Sequence, residues 1–220
     1  SKMKFHQKGL IICGTDTDVG KTIISSLFVQ GLTATYWKPI QSGLEENGDK
    51  GRICKLLNLP RERCLEEVYK FKAPVSPHWA AEQEGIKIDP MNLKLPSINN
   101  FLIVETAGGL MVPLTRDFLQ IELVKQWELP IVLVARSGLG TLNHTLLSLE
   151  ALRKRKINVL GIFLNGPSHA DNPKTLEQFG GVPIIGHLPK LSKITKNSLA
   201  EAWIKLGLFE SIGELIQREI

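Results

Sequence analysis

The chain has little of what would mark a secreted, metal-caged or membrane-bound protein. It has only three cysteines, Cys13, Cys54 and Cys64, an odd number with no CxxC spacing. That count argues against a zinc site and against a disulfide framework, and it fits a reducing cytosol. Cys13 lies inside an apolar run and reads as a small buried residue. No apolar run approaches the roughly 20 residues that cross a bilayer, and the N-terminus has neither an apolar core nor a cleavage site of the signal-peptide kind. A cytoplasmic protein with no membrane partner is expected. Basic clusters are equally scarce. The net charge is +5, yet only Arg153-Lys154-Arg155-Lys156 forms a run. That run falls at the end of an expected helix, where cations complement the helix dipole. Phosphate handling accounts for the basic balance, and no nucleic acid is called for. Repeats, low-complexity tracts and long linkers are also missing, so residues 1–220 are expected to form one domain.

What is present is an ordinary globular composition, 43% apolar and 22% charged, in which strand-like and helix-like segments alternate. Residues 9–13, 35–38, 101–105, 131–135, 159–164 and 182–187 are apolar runs suited to strands buried on both faces. A short strand is expected at 68–71. Helices are expected at 21–31, 49–57, 77–84, 117–127, 141–154, 173–179, 197–206 and 208–218, whereas 85–100 has no consistent period. This alternation predicts an α/β fold of the P-loop nucleotide hydrolase kind, a mostly parallel sheet with helices on both faces. Ligands of such sheets gather beyond the carboxyl ends of the strands.

The stretch that organises the rest is Gly14-Thr15-Asp16-Thr17-Asp18-Val19-Gly20-Lys21-Thr22, between the first strand and the first helix. A glycine-bounded loop there turns backbone N–H groups toward one point, and the helix start adds partial positive charge. Lys21 is placed to reach the β- and γ-phosphates, and the Thr22 hydroxyl to sit on Mg²⁺. The loop is a variant. Five residues separate Gly14 from Gly20-Lys21, where the usual spacing is four.

Further polar groups stand at other strand ends. Lys38, in Trp37-Lys38-Pro39-Ile40-Gln41-Ser42-Gly43, is a second lysine beside the phosphate loop, which points to charge stabilisation during phosphoryl transfer. Glu105 closes an apolar strand and is followed by Thr106-Ala107-Gly108-Gly109, mostly small residues that leave room for a ligand, so a metal role is expected. Asp49 opens a helix and reads equally as an N-cap or as a metal ligand. Ser137-Gly138-Leu139-Gly140-Thr141-Leu142-Asn143-His144 is a glycine-rich turn into a helix, a possible second anion site or a plain cap by Thr141.

Taken in order, GTDTDVGKT, KPIQSG, the aspartate of ENGDKG, APVSPHWAAEQEG, VETAGGLMVPL, LPIVLVARSGLGTLNHTLL, GIFLNG and IIGHLPKL run through nearly the whole chain. In that order they resemble dethiobiotin synthetase, the ATP-dependent carboxylase late in biotin synthesis. The resemblance implies that Asp18, Val19, Gly20, Lys21, Thr22 and Ile23 hold the ATP phosphates, with Thr106, Ala107 and Gly108 also on the nucleotide. It implies Mg²⁺ on Thr22, Asp49 and Glu105, catalysis by Lys38 with Lys21 and Thr17, and substrate contact by Ser42. Asn165 and Gly166 fall at the nucleotide base, and Pro189, Lys190 and Leu191 at its wall. The resemblance further implies 7,8-diaminononanoate, CO₂ and ATP as reactants, and a homodimer in which Thr141, Leu142 and Asn143 serve the neighbouring copy's site. Three positions depart from common family residues. Asp18 stands where glutamate is frequent. Thr106 replaces a frequent glycine, which would narrow the phosphate channel. Gly166 stands where an acidic residue occurs, which bears on base selectivity. A rival reading is a partitioning ATPase, but such proteins carry a further lysine inside the phosphate loop. Here Thr15, Asp16 and Thr17 occupy those positions.

Overall fold

Continuous apolar runs have no polar face to offer water, so each strand must be covered on both sides. The computed structural model, which describes residues 6–217, shows how this is met. In chain order the elements are β1 (Gly9–Gly14), α1 (Lys21–Leu32), β2 (Thr35–Trp37), β3 (Ile40–Ser42), α2 (Gly48–Leu57), β4 (Tyr69–Phe71) and α3 (Pro77–Gln83). There follow β5 (Leu102–Gly109), β6 (Pro113–Thr115), β7 (Phe118–Leu119), α4 (Gln120–Trp127), β8 (Ile131–Arg136) and α5 (Thr141–Lys154). The chain continues through β9 (Val159–Asn165), α6 (Asn172–Gly180), β10 (Ile184–Leu188), α7 (Lys196–Lys205) and α8 (Leu208–Gln217). Residue 218, the expected end of the last helix, lies outside the described residues.

Six strands form one parallel sheet in the order β10-β9-β8-β1-β5-β2. Alternate residues of each strand enter opposite cores. Ile11 and Cys13 of β1 join Leu133 and Ala135 of β8 on the face covered by Leu123 and Val124 of α4, Leu149 and Leu152 of α5 and Leu176 of α6. Leu10, Ile12, Val132 and Val134 join the other face, under Leu27 and Phe28 of α1, Ile53 of α2 and Trp203 of α7. Helices α1 and α7 meet closely at Gly31, where an added Cβ would lie 2.0 Å from the Trp203 ring. Strand β1 lies between β5 and β8, and the chain order reverses there. Ligands of open parallel sheets bind at such a switch point, and the glycine loop follows β1 directly.

Two expectations need correcting. The helix expected at 117–127 begins only at Gln120, because residues 113–119 first form the antiparallel hairpin β6–β7. Residues 40–42, for which no strand was expected, pair with β4 in a small parallel sheet. The cysteines also differ from expectation. Cys13 is buried, but Cys54 and Cys64 are joined as a disulfide, with Cα atoms 6.3 Å apart. Counting cysteines could not show this, since α2 and the following turn bring the pair together only in the fold. Among the described residues, no helix is long and apolar enough to cross a membrane.

Candidate active site

The glycine loop is held from outside by its carbonyls. A loop that turns N–H groups inward sends C=O groups outward, and each needs a donor. Lys21 Nζ donates to the Asp16 carbonyl (3.0 Å), and Asn165 Nδ2 to that of Val19 (3.1 Å). Arg136 Nη2 donates to the Thr17 and Asp18 carbonyls at 3.5 and 3.3 Å. Two residues take left-handed backbone conformations, Asp18 (φ 57°) and Gly20 (φ 103°). At Gly20 a Cβ would also meet Asn165 Nδ2 at 2.2 Å, so glycine is required there twice over. Arg136 was not singled out from sequence. It is the one exposed residue ending the buried strand β8, which was a usable signal.

Beneath the loop, five groups converge. Thr22 Oγ1 donates to Glu105 Oε2 (3.0 Å) and the Tyr36 hydroxyl to Glu105 Oε1 (3.1 Å). Lys38 Nζ is paired with Asp49 Oδ2 and lies 3.8 Å from Glu105 Oε2. Burial pushes the Glu105 carboxyl above its ordinary value of 4.5, opposed chiefly by the Lys38 charge. Burial lowers Lys21, with Glu105 opposing, and raises Tyr36 well above 10.0. Desolvation disfavours the charged form in all three cases. Cys13, on the neighbouring strand, is pushed up to about 12 by burial, so it is an inert thiol.

Asp49 does not cap its helix. The N-cap position is Asn47, and no side chain bonds there. The Asp49 carboxylate instead faces Lys38 and Arg52 Nη1 (3.3 Å), while its backbone N–H donates to Gln41 Oε1 (3.0 Å). Of the two readings open from sequence, the cap is excluded. Gln41 also donates to the carbonyls of Ser42 and Gly43, so it fixes the turn carrying Ser42. The buried Ser42 Oγ has no hydrogen-bond partner.

The segment after Glu105 is held by Gln120. Its Nε2 donates to the carbonyls of Ala107 (2.5 Å) and Gly109 (2.9 Å), and its Oε1 accepts from Ala107 N (3.1 Å). Thr106, the residue that replaces a frequent glycine, turns toward strand β1. Its side chain is buried, with the hydroxyl on the Ile12 carbonyl (3.4 Å). Thr17 remains exposed at the loop tip. Asn165 ends β9 opposite Leu188 of β10, so Pro189, Lys190 and Leu191 follow directly beside it. His187 Nε2 lies 2.7 Å from the Gly166 carbonyl and steadies that corner.

Thr141, Leu142 and Asn143 stand apart, with no hydrogen bond or ion pair to the Lys38 cluster among the described residues. The N-cap is Gly140, and the buried Thr141 hydroxyl turns to Thr145 (3.0 Å), so Thr141 is not the cap. The Thr141 N–H goes to the Gly138 carbonyl, which leaves those of Leu142 and Asn143 without an intrahelical acceptor.

Residues 8–198 match a family model described as an AAA domain. The chain is 46% identical over 194 residues to the ATP-dependent dethiobiotin synthetase BioD of Rhodopseudomonas palustris (strain BisA53), covering 88% of this chain and 91% of that protein. The chain belongs to the dethiobiotin synthetase family. Another BioD, from Afipia carboxidovorans, is 45% identical over 89% of this chain and 93% of its own length. Members of this family are ATP-dependent ligases. Among solved structures, the septum site-determining protein MinD of Pyrococcus horikoshii superposes with a TM-score of 0.58 over 91% of this chain and 94% of that one. Its sequence identity of 14% makes this a likeness of fold alone. The two chains thus share the P-loop ATPase fold.

The donor set at Thr22, Asp49 and Glu105 is all hard oxygen, which suits Mg²⁺. No group of three or more His, Cys, Asp or Glu forms a metal cage among the described residues.

Proposed function

We propose that the chain converts 7,8-diaminononanoate, CO₂ and ATP to dethiobiotin, ADP and phosphate. One amine captures CO₂ as a carbamate, and a carbamate oxygen attacks the γ-phosphorus, releasing ADP and leaving a carbamic–phosphoric mixed anhydride. The second amine then attacks the activated carbonyl, closes the ring and expels phosphate. Lys21 and the loop N–H groups would hold the phosphates. Lys38 would leave Asp49 for the transferring phosphoryl group, where a fixed positive charge counts most. Thr17 and Ser42 would orient the carbamate, and the unpartnered Ser42 hydroxyl supports this, being a buried donor with nothing to bond. Thr22, Asp49 and Glu105 would hold Mg²⁺, which when bound neutralises phosphate charge. The chemistry asks for positioning and electrostatics, with little covalent work by the protein.

The observation that carries this reading is the Lys38 ammonium between two carboxylates beside a phosphate loop. The direct test is ATP turnover with each reactant omitted. Phosphate release that needs the diamine and CO₂ together supports it, and equal release without the diamine would refute it in favour of a plain ATPase. The reading places the enzyme in the cytoplasm, with no nucleic acid or membrane partner.

The same reading makes the enzyme a homodimer with a shared site, in which Thr141, Leu142 and Asn143 take the substrate carboxylate of the neighbouring copy. Their separation from the Lys38 cluster and the exposure of Leu139 and Leu147 support it. Subunit mixing tests it. Lys38→Ala and Thr141→Glu homodimers should each be inactive. In a mixed dimer one site carries both lesions and the other neither, so equal mixing should restore about a quarter of wild-type activity. No recovery despite proven heterodimers would place the site within one chain.

A further inference from the structure

Of the groups that the reaction leaves unused, the bridged pair Cys54–Cys64 is the most informative. Its Cα separation of 6.3 Å lies within the 4.4–6.8 Å that a bridge accepts. The two cysteines are unequally exposed. Cys64 is 5% exposed, whereas Cys54 is half-buried and lines an open cavity of about 370 Å³. The same cavity is lined by Lys50, Lys70 and Glu67. Lys50 binds Glu66 and stands 3.7 Å from Glu67 Oε1. The Glu67 side chain is 3% exposed, and its Oε1 has no hydrogen-bond partner. The cavity therefore presents the exposed Lys70 ammonium, with the Lys50 ammonium at its edge shared with Glu66, beside the more exposed cysteine of the pair.

We propose that Cys54 and Cys64 form a thiol–disulfide exchange site, entered by a small carboxylate-bearing peptide disulfide of the glutathione class. The Cys54 thiolate attacks one sulfur of the disulfide, forming a mixed disulfide and releasing one glutathione thiolate. The Cys64 thiolate then attacks the Cys54 sulfur and releases the second glutathione. Two electrons pass from the cysteine pair to the incoming disulfide, and the two thiol protons leave on the two glutathione thiols. Exposure sets the order, with Cys54 attacking and Cys64 resolving. The bridge ties α2, which carries Asp49, to the residue that pairs with Tyr36, whose hydroxyl holds Glu105. That link to the active site rests on the function proposed above, but the thiol chemistry does not.

The experiment uses the full-length folded protein, fully reduced, then equilibrated with mixtures of reduced and oxidised glutathione. Alkylation and mass spectrometry count the remaining thiols without reference to turnover, so failure here is distinct from failure of the proposed reaction. Cys54 and Cys64 should lose alkylation together while the melting temperature rises by roughly 5–10 °C. Cys64→Ser should accumulate one glutathione on Cys54, and Cys54→Ser should take up none. Joint Lys50→Glu and Lys70→Glu substitution should slow exchange with oxidised glutathione several-fold and leave exchange with neutral 2-hydroxyethyl disulfide unchanged. Thiols that stay alkylatable at every ratio, or glutathione found on Cys64 first, would overturn the site. Equal slowing with both reagents would overturn recognition by the cavity.

Discussion

Replacing Lys38 with methionine keeps the length of the side chain and removes one charge. In the structure that charge serves two carboxylates, Asp49 directly and Glu105 at 3.8 Å. At that distance a unit charge is worth roughly 4 kcal/mol at an effective dielectric near 20. A comparable interaction should form with the γ-phosphoryl group once Lys38 releases Asp49. Losing such a donor costs on the order of 10²–10³ in kcat, about 3–4 kcal/mol of barrier, so the two estimates agree in scale. Nucleotide affinity should stay within about threefold, because Lys21 and the loop N–H groups are untouched. Phosphate release in the presence of diamine and CO₂ gives kcat, and calorimetry gives nucleotide Kd. A second readout comes from the carboxylates, which lose their counter-charge in the variant. Mg²⁺ without nucleotide should then raise its melting temperature more than it raises that of the wild type. A kcat near wild type, or a loss confined to Kd, would refute the reasoning.

Three further outcomes are expected. In metal-free protein, Glu105 binds its proton more tightly folded than unfolded, so stability should fall as pH rises through the window above 4.5. Glu105→Gln should abolish that fall, and thermal unfolding curves that run parallel across the pH range would contradict it. Gln120→Leu strands the backbone groups of Ala107 and Gly109, at a cost on the order of 3 kcal/mol. Its melting temperature should drop by about 6–12 °C, and an unchanged value would show that the 107–109 turn does not depend on Gln120. Arg136→Met should weaken nucleotide binding roughly tenfold by freeing the Thr17 and Asp18 carbonyls, with kcat less affected; unchanged binding would make the two contacts incidental.

Most of the architecture was legible without coordinates because parallel strands buried on both faces must be written as apolar runs. The main sheet and all eight helices stand within a few residues of where periodicity placed them, save α4. What the pattern missed was short pairing. The hairpin β6–β7 and the β3–β4 pair are two or three residues per strand, too few for a period to show, and each is fixed by neighbours from elsewhere in the chain. The phosphate loop and Lys38 were readable because each follows directly on a strand, and such ends collect on one side of a parallel sheet; Glu105, expected to close its strand, instead lies within β5, which runs on to Gly109.

Sequence by itself therefore determined the α/β class, the phosphate loop and the order of strand-end motifs, since periodicity and spacing are properties of a line. Only the tertiary structure decided that Asp49 is not the cap of its helix and faces Lys38 instead. A carboxylate's partner is whichever cation the fold brings to it, and here that is Lys38, eleven residues away. It likewise decided that Arg136 and Asn165 hold the loop carbonyls, more than a hundred residues from their acceptors. The Cys54–Cys64 bridge came from the same source. Two cysteines ten residues apart carry no signal as letters, and become a pair because α2 and the turn after it bring their Cα atoms within reach of one bond.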